Sequence, residues 1–203
     1  MAFTYFLPDE NGNKTEHGTT SNAVIIIGAN GSGKSKLGAW IEQQNMDQVH
    51  RIGAQRNLNF NENIPLKSYS QAEDFVLYGT DDKSSQRGKG PRWAWGKYTT
   101  KLIDDFDNVL AALIALKNND NEKFVNECKA ASTREERPDP PLTSIDKLTQ
   151  IWNIIFPQRK LRVEDAKFLA VLTRDDSEIQ YNSNQMSDGE RAVLYFCLLY
   201  TSD

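Results

Sequence analysis

Residues 28–35 read Gly-Ala-Asn-Gly-Ser-Gly-Lys-Ser, directly after the apolar run Ala23-Val24-Ile25-Ile26-Ile27. A strand, a glycine-rich loop and then a helix over Lys36 to Gln44 are the context in which this pattern binds phosphate. Gly31 and Gly33 let the backbone curl until successive N–H groups point at one anion, with no Cβ in the way. Lys34 places a positive charge on the β- and γ-phosphates, and Ser35 offers its hydroxyl to Mg²⁺. Gly28, Asn30, Ser32 and Lys36 complete the candidate cradle, and the helix behind it adds its dipole to the same charge. The alternative is a glycine-rich turn that matches the pattern by chance.

A second informative segment lies far downstream, at Asn184-Gln185-Met186-Ser187-Asp188-Gly189-Glu190-Arg191. Together with the loop it resembles the ABC class of P-loop ATPases, in which a Leu-Ser-Gly-Gly-Gln/Glu signature opens a helix. Ser187, Gly189 and Glu190 fit the signature. Met186 replaces its leucine, and Asp188 replaces its first glycine. Asp is compatible wherever the backbone turns without positive φ, since Asp also caps helices. In isolation Ser-Asp-Gly-Glu also reads as an ordinary capping box in front of an amphipathic helix. The resemblance further implies a glutamine at the end of the strand after the loop helix, reaching Mg²⁺ and the attacking water. Val49 to Ala54 reads as that strand, and Gln55 stands at its end.

The interval from Lys34 to Ser187 is too short for the long coiled-coil arms of the SMC type. What remains resembles compact soluble ABC-type heads grouped with RecF and the OLD nucleases, many of which serve DNA repair or anti-phage defence. By that resemblance the fold is α/β, a P-loop NTPase head of ABC type with a helical insertion. Residues 1–60 would form an ATP-binding lobe and 61–160 a mostly helical insertion. Residues 161–203 would supply a strand hairpin, the signature and the start of its helix.

Composition narrows the class. The chain has 203 residues, 38% hydrophobic and 26% charged, enough for one domain, or one and a half, with a proper core. No apolar run approaches the roughly 20 residues a membrane span needs. The N-terminus lacks a signal-peptide layout, and Cys128 and Cys197 form no CxxC pattern, which fits a reducing cytoplasm. His17 and His50 belong to no metal-ligand spacing. A net charge of −4 gives no global attraction to nucleic acid or anionic membrane.

Along the chain, Phe3 to Leu7 reads as an edge strand, and Asn11-Gly12 as a hairpin turn inside the polar link that follows. Residues 57–97 look irregular. Leu102, Ile103, Phe106, Val109, Leu110, Leu113 and Ile114 recur at helical spacing, predicting a helix over Thr99 to Lys117 and placing Asp104 and Asp105 on it. A further helix is expected over Asn121 to Ala131. Thr143 or Ser144 caps one that runs through Ile155 and is followed by Pro157. Arg162-Val163, Phe168 to Leu172 and Ile179 to Tyr181 read as strands, the last two joined at Arg174-Asp175-Asp176-Ser177.

Lys83, Arg87, Lys89, Arg92, Lys97 and Lys101 interleave with Trp93, Trp95 and Tyr98. Cations among planar rings suit nucleic-acid backbone contact and base stacking. A solvated loop anchored by its tryptophans explains the same residues and is the favoured reading. Tyr5 or Phe6 stands where an upstream aromatic stacks on adenine in ABC ATPases, and a core-facing strand residue explains it equally.

Hydrolysis in this class needs an apolar strand ending in Asp, followed by a Glu that activates water, both after the signature helix. Only residues 192–203 follow Arg191, so the head is expected to be C-terminally incomplete and this chain catalytically silent. Cys197-Leu198-Leu199-Tyr200-Thr201-Ser202-Asp203 resembles an in-frame translation of a transposase-end adapter, which would end native sequence near Phe196. Alternatively Ala192 to Tyr200 is a native signature helix.

The resemblance therefore implies ATP and Mg²⁺ as ligands and a homodimer in which Ser187 and Gly189 of one head meet the γ-phosphate held by the other. DNA or an effector protein is the implied further partner, with no membrane. The competing readings are an ATP-gated interaction module without turnover, or a P-loop kinase or GTPase carrying a chance signature.

Overall fold

The computed structural model describes residues 3–53, 56–174 and 177–200, and in these a mixed α/β chain builds two small antiparallel sheets and five α-helices. Strands β1 (Phe3–Pro8) and β2 (Lys14–Thr19) form a hairpin in which Phe3 faces Thr19 and Pro8 faces Lys14. Its turn closes as expected at Asn11-Gly12. The Asp9 carboxylate accepts from the backbone N–H of Asn11 (2.8 Å) and Asn13 (2.7 Å).

Two expected strands do not form. Residues 23–27 belong to no sheet, and their side chains face outward, Ile25 84% and Ile27 90% exposed. Residues 49–53 are likewise in no sheet, and Ala54 and Gln55 lie outside the described residues. A buried parallel strand needs a partner on each side to take its backbone hydrogen bonds, and no described strand supplies one. The parallel pairing present is a single bridge, Arg56 to Ile103, extended by Asn57 N–H donating to Ile103 O (2.7 Å).

Helix α1 (Lys34–Gln44) packs on β1. Helix α2 (Tyr69–Tyr78) corrects the irregular reading of 57–97. Its signals are local: the Ser68 side chain caps Gln71 N–H, and Gly79 ends the helix at φ 76°. Arg92 passes so close there that a Cβ on Gly79 would lie 2.6 Å from Arg92 N.

Helix α3 (Phe106–Ala130) starts later than the periodicity predicts and absorbs the expected 121–131 helix. Ile103 is held in the bridge and Asp105 is drawn into a buried ion cluster, so the helix begins only at Phe106. Asp104 and Asp105 are therefore not on a helical face. Beyond Lys117 no Gly or Pro interrupts the chain before Ala130, and weak helix formers cost only tenths of a kcal/mol each.

Helix α4 (Ser144–Ile155) carries the expected cap. Thr143 and Asp146 form a capping box, and Ile145, Leu148 and Trp152 make one buried stripe. Strands β3 (Arg159–Glu164), β4 (Lys167–Arg174) and β5 (Ser177–Tyr181) form an antiparallel meander in that order. The β4–β5 turn at Asp175-Asp176 lies outside the described residues. Central β4 is buried along Phe168 to Val171, and α5 (Asp188–Tyr200) lies against α3 and α4. The core joins Phe106, Leu110 and Leu113 to Leu148, Trp152, Phe168, Leu194 and Tyr195. Among the described residues no helix is long and apolar enough to cross a membrane.

Trp152 has no solvent exposure, and its Nε1–H donates to Arg159 O at 2.9 Å, pinning α4 to β3. Trp152→Ala should lower the free energy of unfolding by about 3–5 kcal/mol, as read from the urea midpoint.

Candidate phosphate-binding site

Gly31 (φ 83°) and Gly33 (φ 91°) take the left-handed backbone that the loop sequence calls for, and a Cβ at either would point into open space. Gly33 sits at the N-cap of α1, where no side chain caps the helix, and the first turn holds no acidic residue. The N–H groups of the first turn and the positive end of the helix dipole are thus left for an external anion. Asn30, Ser32, Ser35 and Lys36 are all exposed. Gly28 lies against Ser32, since a Cβ there would be 2.6 Å from Ser32 Oγ. Lys34 Nζ donates to Gly28 O (2.6 Å) and Ala29 O (2.8 Å), which lays the ammonium across the loop. The donors, the cation and the exposed Ser35 hydroxyl fit a polyphosphate with its Mg²⁺.

The signature segment stands on a different element. Met186 is buried, while Ser187, Asp188 and Gly189 are exposed, and neither Asp188 nor Gly189 takes a positive φ. The replacement of a signature glycine by Asp188 therefore costs no backbone strain. Ser187 and Glu190 form a capping box: Ser187 N–H and Oγ–H donate to Glu190 Oε2 (2.8 and 2.7 Å), and Glu190 N–H returns to Ser187 Oγ (3.3 Å). Glu190 is buried beside the Tyr181 hydroxyl and Arg159. Burial pushes its carboxyl up, but the hydrogen bonds from Tyr181 and Ser187 outweigh it and hold it below the ordinary value. Among the described residues no hydrogen bond or ion pair links residues 28–36 to 187–189, and Gln55 lies outside the described residues.

The middle of the basic segment turns inward, and its ends stay exposed. Lys89 is 3% and Trp93 1% exposed, and Arg92 is buried with them. Lys89 Nζ (3.4 Å) and Arg51 Nε (3.2 Å) both meet Glu42 of α1, and the Arg51 guanidinium lies 3.9 Å over the Trp93 ring. Lys83 pairs with Asp74 at 2.5 Å. Arg87, Lys97 and Lys101 stay exposed, as does Trp95 at 74%. Tyr5 stacks on His17 with ring centroids 5.5 Å apart, and Phe6 lies under Lys14 Nζ at 3.9 Å, so both aromatics are engaged within the hairpin.

Sequence reasoning missed Asp105. This buried carboxylate meets Arg92 (3.3 Å) and Arg56 (3.6 Å) and accepts from Tyr195 Oη–H (3.0 Å). No local pattern marks it, because its partners come from segments far apart in the chain. Comparisons with protein families, with curated proteins and with solved structures gave no match.

His50 borders this cluster, with Nε2 at 3.4 Å from Arg92 Nη2. Burial first, and then the charges of Arg92, Lys89 and Arg56, lower its pKa to about 3. Folded His50 stays neutral while the unfolded chain takes up a proton below about pH 6.5. Its contribution is therefore complete above that pH and is lost as pH falls towards 3. Lowering the pH from 7.5 to 5 should cost about 2 kcal/mol through this group. Urea unfolding checks it: His50→Phe should flatten the pH dependence by that amount.

Proposed function

We propose that this chain is the nucleotide-binding part of an ABC-class ATPase head that binds Mg·ATP at residues 28–36 and dimerises when it does so. The observation that carries this reading is the loop itself: two left-handed glycines lead into a helix with no side-chain cap and no acidic first turn. The backbone donors of that turn and Lys34 would hold the β- and γ-phosphates. Ser35 would ligate Mg²⁺, which when bound neutralises phosphate charge. Gln55 would orient the attacking water. A cleft bordered by Tyr5, Thr19 and Val24 adjoins the entry to the loop and is a fitting place for adenine. Exposed Ser187 and Gly189 would face the nucleotide of the second head. A link to DNA repair or anti-phage defence, with DNA or an effector as partner, rests on the resemblance.

The Ser187–Glu190 capping box favours a second reading, in which the signature residues only start α5 and the chain binds nucleotide without pairing.

Lys34 is exposed, so Lys34→Ala should fold normally and bind Mg·ATP about 100-fold more weakly or worse, a loss of about 3 kcal/mol. Calorimetry on both proteins reads this, and unchanged affinity in the variant overturns the assignment of the loop.

Ser187→Arg separates the two readings. Under head pairing it leaves ATP binding intact and abolishes ATP-dependent dimerisation in light scattering, because the cation cannot fit against the partner's nucleotide. Under simple helix capping it lowers stability by about 1 kcal/mol and changes nothing else.

A further inference from the structure

Ser187 stands before α5 with its hydroxyl already committed. Glu190 is buried, and although burial works against its charge, hydrogen bonds from Tyr181 and Ser187 keep its carboxyl below the ordinary value. Ionised near neutral pH, it can only accept. The 2.7 Å contact from Ser187 Oγ to Glu190 Oε2 therefore uses the one hydrogen that the hydroxyl has. Glu190 N–H takes one lone pair of Oγ at 3.3 Å, and what stays free on the exposed Ser187 Oγ is the other lone pair.

A phosphate oxygen brings lone pairs and negative charge of its own. It would meet a bare lone pair and, behind it, a carboxylate of the same sign. Ser187 can bond phosphate only by turning its O–H away from Glu190. The surroundings of Glu190 permit that exchange. Oε2 keeps Ser187 N–H at 2.8 Å, and Oε1 keeps the Tyr181 hydroxyl together with Arg159 Nε at 3.4 Å. The buried carboxylate is thus never left without donors.

Resting on the reading that heads pair through Ser187, we infer that Glu190 is a positioning residue that locks the Ser187 hydroxyl away from the partner's γ-phosphate until that phosphate displaces it. A hydrogen bond to an ionised acceptor is about twice as strong as one to a neutral acceptor, so an anionic phosphate oxygen can release the lock and a neutral group cannot.

Glu190→Gln tests this, because the amide keeps the shape and still accepts from Ser187 but carries no charge. In light scattering with Mg·ATP titrated into the full chain, the ATP concentration needed for pairing should fall about tenfold, with binding at the loop unchanged in calorimetry. Tyr181→Phe removes a donor that shares the carboxylate charge, so it should raise that concentration a few-fold, and should do little in the Glu190→Gln background. A purely structural cap gives no gain of pairing, since Glu190→Gln only weakens the box. Pairing by Glu190→Gln where the wild type stays single supports the lock as well. A wild type that pairs with ATP while Glu190→Gln pairs no more readily overturns the lock and leaves head pairing standing. Absence of ATP binding, or binding without pairing in both proteins, overturns the reading beneath the lock and the lock with it. Should Glu190→Gln fail to fold by circular dichroism, Tyr181→Phe carries the test, and unchanged pairing there overturns the lock.

Discussion

Asp105 is buried with two guanidinium groups and a phenol on its oxygens, and four segments remote in the chain meet there. Arg56 follows the loop helix, Arg92 lies within the basic segment, Asp105 immediately precedes α3, and Tyr195 sits in α5. A buried carboxylate is tolerable only with charges and donors around it, and buried arginines need the carboxylate in turn. Each therefore holds the other in place. The Arg56 guanidinium also lies 3.9 Å over the Tyr195 ring, and that ring meets Phe106 edge-on at 5.2 Å. The apolar core is thus built outward from a polar centre. The late start of α3 and the seating of α5 both follow from it.

A second buried carboxylate does the same for the candidate site. Glu42, on the inner face of α1, binds Arg51 and Lys89, and through Arg51 it reaches the Trp93 ring. The loop at the front of α1 is exposed apart from half-buried Gly33, while the back of the helix is fastened by charge and by packing on β1. Rigid support behind exposed backbone donors is the arrangement that anion binding requires, because the donors need no reorganisation when the ligand arrives. It also explains why Lys89, Arg92 and Trp93 are unavailable to a nucleic acid. Their charges and rings are spent inside the protein, while Lys83, Arg87, Lys97, Lys101 and Trp95 remain at the surface.

By itself the sequence determined whatever depends on near neighbours. The Asn11-Gly12 turn, the glycine-rich loop leading into α1, the Thr143 cap of α4 and the β3–β4–β5 meander are all legible, because caps, tight turns and short hairpins use residues a few positions apart. Helix α2 was not read from the sequence: Ser68 and Gly79 are local signals for it, but weak periodicity left 57–97 looking irregular. Tertiary structure decided whatever needed a distant partner. Ala23 to Ile27 has the composition of a buried strand, but backbone hydrogen bonds come from neighbouring strands that no run of residues can announce. The inward turn of Lys89 and Arg92 was equally hidden, since a cation reads as surface until a buried carboxylate such as Glu42 or Asp105 is brought against it. Local rules act over a few residues, whereas strand pairing and ion pairing between remote segments exist only once the chain has closed on itself.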